Sequence, residues 1–184
     1  MVIVNPRAGG GISEKRWAGI IGPLTDGLGS FDTRFTERPG HASTIAHEEA
    51  TAGRGLVVAF GGDGTISEVA DGLVKAGGKA ELGVIPRGTG GDFRRSLGIE
   101  NQLFSAAEHV RKSKARKVDV GRVSFVNHDG QKTSRHFVNV ASVGFSSVVA
   151  ERANQASKRL GAKVKPQPGA EHEPEVPACE AGAD

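Results

Sequence analysis

The chain has 184 residues, enough for one domain with a sizeable hydrophobic core but too few for two large ones. Its single cysteine, Cys179, excludes a disulfide framework and a multi-cysteine metal site, and no apolar run approaches the ~18 residues of a membrane-spanning helix. The net charge is +3, and the basic residues of segment 111–122 have no aromatic residues among them, which argues against nucleic-acid binding. That segment is either a solvated helix end, the interpretation we favour, or a contact for anionic lipid headgroups.

The first predicted element is an apolar strand over residues 1–4, which runs into the glycine-rich segment 5–11, NPRAGGG. A helix is expected next, with its start near Ser13. The apolar residues at helical spacing predict which face is buried; they are Trp17, Ile20, Ile21 and Leu24. Alternation of Phe31, Thr33 and Phe35 then predicts a second strand, followed by a helix over residues 42–52.

The third predicted strand, residues 56–60, is a continuous apolar run typical of a strand that is covered on both faces. The segment 61–65, GGDGT, separates it from an amphipathic helix whose apolar face is Ile66, Val69, Ala70, Leu73 and Val74. Glycines at the start of a helix leave backbone N–H groups free for an anion. Asp63 beside a phosphate requires a cation, which a nucleotide with Mg²⁺ supplies; alternatively, Asp63 or Thr65 merely caps the helix.

A fourth strand, residues 82–85, also runs into a glycine-rich loop, residues 86–93 (PRGTGGDF), and a further helix is expected near residues 103–110. The alternation of strands and helices predicts an α/β fold, a doubly wound and largely parallel sheet. In such a sheet the three glycine-rich loops emerge at the same carboxyl edge, where ligands bind. Three loops of this kind at one edge favour a phosphate site.

These motifs, in this order, resemble the catalytic domain of diacylglycerol kinases, a family that includes bacterial soluble lipid kinases and relatives of sphingosine, ceramide and NAD kinases. The similarity covers about residues 1–160 and extends to Gly40-His41-Ala42 and to the segments 118–121 and 137–145. One departure is Gly91, where the family usually has asparagine. Glycine makes the loop more flexible and removes one polar contact.

The resemblance implies that ATP binds with Mg²⁺ at the three loops. Residues expected to contact the nucleotide lie in all three loops and at the end of the second strand; they are Asn5, Pro6, Arg7, Ala8, Gly9, Thr36, Gly62, Asp63, Gly64, Thr65, Ile66, Ser67, Glu68 and Thr89. Asp63 is the expected catalytic and metal-binding residue. His41 is interpreted as a helix-start residue and Asp92 as a cap of the helix that follows it.

Beyond residue 115 the pattern changes to two strand-like runs around Asn127-His128-Asp129-Gly130, a hairpin signal. We expect a nucleotide-binding domain at residues 1–115, the beginning of an antiparallel β second domain with a hairpin and a helix at 116–160, and a disordered tail at 161–184, which is proline-rich and poor in apolar residues. The family's second domain holds the lipid pocket, the general base and further metal ligands. Its apparent loss suggests a truncated or frameshifted product.

The function that follows is transfer of the γ-phosphate of ATP to a lipid hydroxyl, diacylglycerol-like, with the lipid reached from the membrane surface. We expect a cytoplasmic protein that also contacts the inner face of the membrane peripherally. Three alternatives stay open: an ATP-binding remnant without turnover, an NAD kinase-like enzyme, and a fragment that does not fold alone. The acceptor lipid and the oligomeric state cannot be read from the sequence.

Overall fold

Four parallel strands form the central sheet of the protein, seen in a computed structural model that describes residues 1–87, 91–127 and 129–139. The strands are β1 (Val2–Val4), β2 (Thr33–Phe35), β3 (Leu56–Gly61) and β4 (Glu81–Pro86), in the spatial order β2-β1-β3-β4. Every pair is parallel. The predicted α/β fold with a largely parallel sheet is therefore confirmed.

Three helices connect successive strands, as a parallel sheet requires: α1 (Glu14–Leu28), α2 (His41–Thr51) and α3 (Asp63–Lys75). Two more, α4 (Asp92–Ser96) and α5 (Leu103–Lys112), follow β4. Ser13 caps α1 as predicted, because its hydroxyl accepts a hydrogen bond from the N–H of Arg16 at 3.3 Å. One predicted core residue is wrong: Ile21 is 41% exposed, because α1 buries the face of Trp17 and Leu24 and the direction of Ile21 points beyond that face.

The core is built around β1 and β3, which are flanked on both sides by other strands. Val2, Ile3 and Val4 are completely buried, as a central strand covered on both faces must be. Trp17 of α1 packs edge-on against Phe60 of β3 and Phe35 of β2, with both ring centroids 5.5 Å away. These contacts attach α1 to the sheet next to the carboxyl ends of its strands.

Helices α2 and α3 approach each other closely at Gly72. A Cβ atom at this position would lie 2.2 Å from the carbonyl oxygen of Ser43 and 2.8 Å from the Cβ of Ala46. Because the first of these neighbours is backbone, a side chain could be accommodated only if one helix moved. The lack of a side chain at Gly72 thus sets the distance between α2 and α3, the helix that begins with Asp63 of the GGDGT segment.

An antiparallel hairpin, β5 (Gly121–Val126) and β6 (Lys132–Phe137), follows the α/β part, as the turn signal predicts. It is attached to α3 through Asp71, a carboxylate that is only 4% exposed. Asp71 accepts hydrogen bonds from the N–H of His136 at 2.9 Å, from Ser43 Oγ at 2.7 Å and from Lys75 Nζ at 2.7 Å. One carboxylate therefore holds α2, α3 and β6 together. The predicted domain boundaries stay a prediction, and the predicted helix and tail after residue 145 lie outside the described residues.

Replacing Gly72 by alanine is expected to destabilise the fold by about 1–3 kcal/mol, because overpacking outweighs the better helix propensity. Gly19, on the exposed face of α1, is a matched control, since a Cβ there would meet no atom within 4 Å. Gly19→Ala should stabilise the protein by about 0.5–1 kcal/mol. Urea unfolding of both variants checks the comparison, and equal effects would contradict the close approach of α2 and α3.

A second prediction concerns the stability of the fold at acid pH. Burial raises the pKa of Asp71, but the hydrogen bonds from Lys75, His136 and Ser43 outweigh burial, so the pKa lies below its ordinary value of 3.8. A lowered carboxyl pKa contributes stability above the ordinary value, and this contribution is lost as pH falls through the folded-state pKa. Asp71→Asn should therefore cost about 1–3 kcal/mol at neutral pH. The difference from the parent chain should shrink at the acid end of a urea titration; a difference independent of pH would refute the assignment.

Candidate functional site

The three glycine-rich loops meet at the carboxyl edge of the sheet. The first loop (residues 5–11) follows β1, and the second (residues 61–65) comprises the last residue of β3 and the first turn of α3. The third loop (residues 86–93), of which residues 86–87 and 91–93 are described, starts at the end of β4. Because β3 lies between β1 and β4 in the sheet, the second loop is the middle one. Thr89 was predicted as a site residue in the third loop, but it lies outside the described residues.

Asn5 connects the first loop to the second. Its Nδ2 donates a hydrogen bond to Thr65 Oγ1 at 2.9 Å, and its Oδ1 accepts one from the N–H of Arg7, also at 2.9 Å. Its backbone N–H donates to the carbonyl oxygen of Phe60 at 3.1 Å. The side-chain amide of Asn5 thus fixes the backbone of its own loop and binds the first turn of α3.

Asp63 connects the second loop to the third. Its Oδ2 accepts a hydrogen bond from the N–H of Gly91 at 2.9 Å, and its Oδ1 accepts one from the N–H of Phe93 at 3.3 Å. The carboxylate therefore binds the N-terminus of α4. Each oxygen keeps lone-pair capacity beyond these bonds, so the predicted metal contact is compatible with this arrangement.

Gly91, the departure from the family pattern, adopts a left-handed backbone conformation with φ of 68°. Glycine adopts this conformation freely, and asparagine tolerates it better than most other residues. Glycine and the asparagine that the resemblance leads us to expect therefore meet the same backbone requirement. What the chain loses is the side chain amide of asparagine.

The N-terminus of α3 is open. Its cap residue is Gly62, which provides no side-chain cap, and a Cβ at Gly64 would meet no atom within 4 Å. In the described residues, the backbone N–H groups of Asp63, Gly64 and Thr65 have no hydrogen-bond acceptor. Free N–H groups at a helix N-terminus, together with the helix dipole, favour an anion such as a phosphate.

Two predicted residues have structural partners instead. The carboxylate of Glu68 accepts hydrogen bonds from the N–H of Gly40 at 2.9 Å and from that of Ala42 at 3.3 Å, so it binds the N-terminus of α2. The side chain of Ile66 is 1% exposed in the core. Their contacts with a nucleotide stay predictions, and sequence reasoning missed the Glu68 contact because its partners lie 26 and 28 residues away.

The other predicted residues lie around the same edge. Pro6 and Ala8 are half-buried in the first loop, while Arg7 and Gly9 are exposed. Thr36 is buried directly after β2, and Ser67 is half-buried in α3. His41 is the first residue of α2, and its Nδ1 accepts a hydrogen bond from the N–H of Glu37 at 3.2 Å. Asp92 begins α4 and forms an ion pair with Arg95.

Asp63 is the carboxylate that we consider for a metal ion here. In the described part of the chain no three His, Cys, Asp or Glu side chains form a cluster that could hold a metal ion by themselves. Mg²⁺ in nucleotide sites is commonly held by one or two carboxylates together with the phosphates. Asp63 therefore fits a metal that arrives with a nucleotide.

Thr65→Val is expected to lower the free energy of unfolding by about 1 kcal/mol, because it leaves the partly buried Nδ2 of Asn5 without its partner. Thr65→Ser keeps the hydroxyl and serves as the control, with a smaller loss. Thermal and urea unfolding measure both. A serine variant that is as unstable as the valine variant would show that the methyl group matters, not the hydrogen bond.

Comparison with known proteins agrees with this geometry. Residues 1–123 match the diacylglycerol kinase catalytic domain. The chain is 35% identical over 144 residues to a diacylglycerol kinase of Bacillus subtilis (strain 168), covering 78% of this chain and 45% of the relative. It is 29% identical over 143 residues to one of Staphylococcus saprophyticus, covering 78% and 44%.

A solved structure has the same fold. The crystal structure of a diacylglycerol kinase from Bacillus anthracis str. Sterne superposes with a TM-score of 0.60 at 30% identity, covering 83% of this chain and 50% of the other. The chain thus spans about half the length of the relatives that it matches. With 123 of its residues matched and the three loops joined at one edge, the chain belongs to the diacylglycerol kinase catalytic domain family.

Proposed function

We propose that the chain carries the nucleotide-binding half of an ATP-dependent lipid kinase, which transfers the γ-phosphate to the hydroxyl of a diacylglycerol-like lipid. The observation that supports this most is the uncapped N-terminus of α3 between two further loops that are hydrogen-bonded to it. Phosphoryl transfer depends mainly on positioning and on neutralising charge around the phosphate. An edge of fixed backbone N–H groups meets the first of these needs.

Mg²⁺ would neutralise charge on the β- and γ-phosphates when it is bound. Asp63 would hold it, since this carboxylate lies in the first turn of α3, next to the free N–H groups. Asn5 and Thr65 would keep the first loop against the phosphates, and Thr36 and Thr89 would contact the nucleotide from the flanking loops.

Among the described residues, none of the helices combines the length and the apolar character that a membrane span needs.

Asp63→Asn is expected to remove the increase in ATP affinity that Mg²⁺ causes, and to strengthen binding of metal-free ATP because a carboxylate no longer repels the phosphates. The amide retains one carbonyl oxygen for the third loop, which limits structural damage. Isothermal titration with and without Mg²⁺ measures the effect, and Asp26→Asn on the exposed side of α1 controls for net charge. An unchanged Mg²⁺ effect would remove Asp63 from the metal site.

The test of the function is transfer of labelled γ-phosphate from Mg·ATP, with mixed-micelle lipids and NAD offered side by side. A labelled lipid would support the kinase and identify the acceptor. Labelled NADP would instead favour the NAD kinase alternative.

A second candidate function is ATP binding without turnover. Among the residues that the structure describes, none has been assigned as a general base beside Asp63, the proposed metal ligand. Because a general base contributes about 10²–10⁴-fold to rate, its absence would leave binding intact and transfer undetectable. Folded protein that binds ATP and yields no labelled product would establish this alternative.

A further inference from the structure

Arg87 belongs to the third loop and lies beside the first and second loops. It is the first residue after β4, and its N–H donates a hydrogen bond to the carbonyl oxygen of Gly61 at 2.6 Å. Its guanidinium lies over the ring of Phe60, with 5.8 Å between Cζ and the ring centroid. A Cβ at Gly9 would lie 3.2 Å from the carbonyl oxygen and 3.5 Å from the Nε of Arg87. The backbone of Arg87 is therefore held by the second loop, and its guanidinium lies on Phe60 beside the first loop.

The charge of Arg87 is not neutralised in the described part of the chain. No carboxylate there lies within ion-pair distance of its guanidinium, and no side-chain hydrogen bond joins it to an oxygen. Arg34 and Arg54, in contrast, pair with glutamates of α2, and Arg111 donates to the carbonyl oxygen of Gly27.

The charge that acts on Arg87 is of the same sign. Burial, followed by the nearby positive charge of Arg16, lowers the pKa of Arg87. Partial burial disfavours the charged form of a guanidinium that has no anionic partner, and a bound anion offsets that cost. The planar guanidinium forms paired hydrogen bonds with phosphate oxygens.

We propose that Arg87 binds the polyphosphate chain of the nucleotide. This inference rests on the proposed nucleotide site and adds to it a cation supplied by a side chain. Phosphate oxygens at the N-terminus of α3 would have backbone N–H groups on one side and Arg87 on the other. The ring of Phe60 keeps the guanidinium in place when the site is empty.

The test compares binding of ATP, inorganic tripolyphosphate and adenosine to Arg87→Met, Arg87→Lys and the parent chain by isothermal titration. Methionine keeps an apolar stem of similar length on Phe60 and removes the charge. The expected result is about 10–100-fold weaker binding of ATP and tripolyphosphate, because a charge-assisted hydrogen bond is lost, with adenosine affinity unchanged. Arg87→Lys should recover part of the affinity, since lysine binds phosphate as a point charge.

Lys79→Met, an exposed charge in the turn before β4, controls for net charge. ATP affinity should also fall less steeply with added salt in Arg87→Met than in the parent chain. Equal ATP affinity in Arg87→Met and the parent, or an equal loss for adenosine, would overturn the inference while leaving the nucleotide site standing. Failure of the parent chain to bind ATP at all would instead reject the proposed function.

Discussion

The carboxylate of Asp63 is the interaction on which the candidate site depends, because it joins the start of α3 to the backbone of the third loop. A carboxylate that accepts hydrogen bonds from two backbone N–H groups fixes both their direction and their distance. Asn5 acts similarly toward the first loop through Thr65. Loops at the edge of a sheet are ordinarily its most variable part. Here polar side chains from the ends of β1 and β3 hold them at defined positions, and the open N–H groups of α3 lie between them.

Much of the fold could be predicted from the sequence, since buried parallel strands are continuous apolar runs and the helices show a period near 3.6 residues. The glycine-rich loops could be assigned to one edge of the sheet because the carboxyl ends of parallel strands meet there. Contacts between distant residues could not be predicted. Glu68 binds the N-terminus of α2, and Asp71 binds β6 across 65 residues. The exposure of Ile21 illustrates a related limit, because periodicity gives the direction of a face but not its width.

The hairpin shows how the site and the remaining chain are linked. Its β6 strand is fastened to α3 by Asp71, on the helix that begins with Asp63. Phe125 and Val126 of β5 are nevertheless 38% and 61% exposed. Large exposed apolar side chains commonly mark contact surfaces. The α/β sheet, in contrast, buries its own core within the described residues.

Trp17 has a consequence for experiments on this protein. It is the only tryptophan of a chain that has no tyrosine, so the intrinsic emission excited at long ultraviolet wavelengths comes from one indole. That indole is 8% exposed and packs in a T-shaped arrangement with the ring of Phe60. The guanidinium of Arg87 lies over the same ring. A ligand that moves Arg87 acts on a ring in contact with the fluorophore. The fluorescence of Trp17 can therefore report on ligand binding at the loops, because only the ring of Phe60 separates the indole from Arg87.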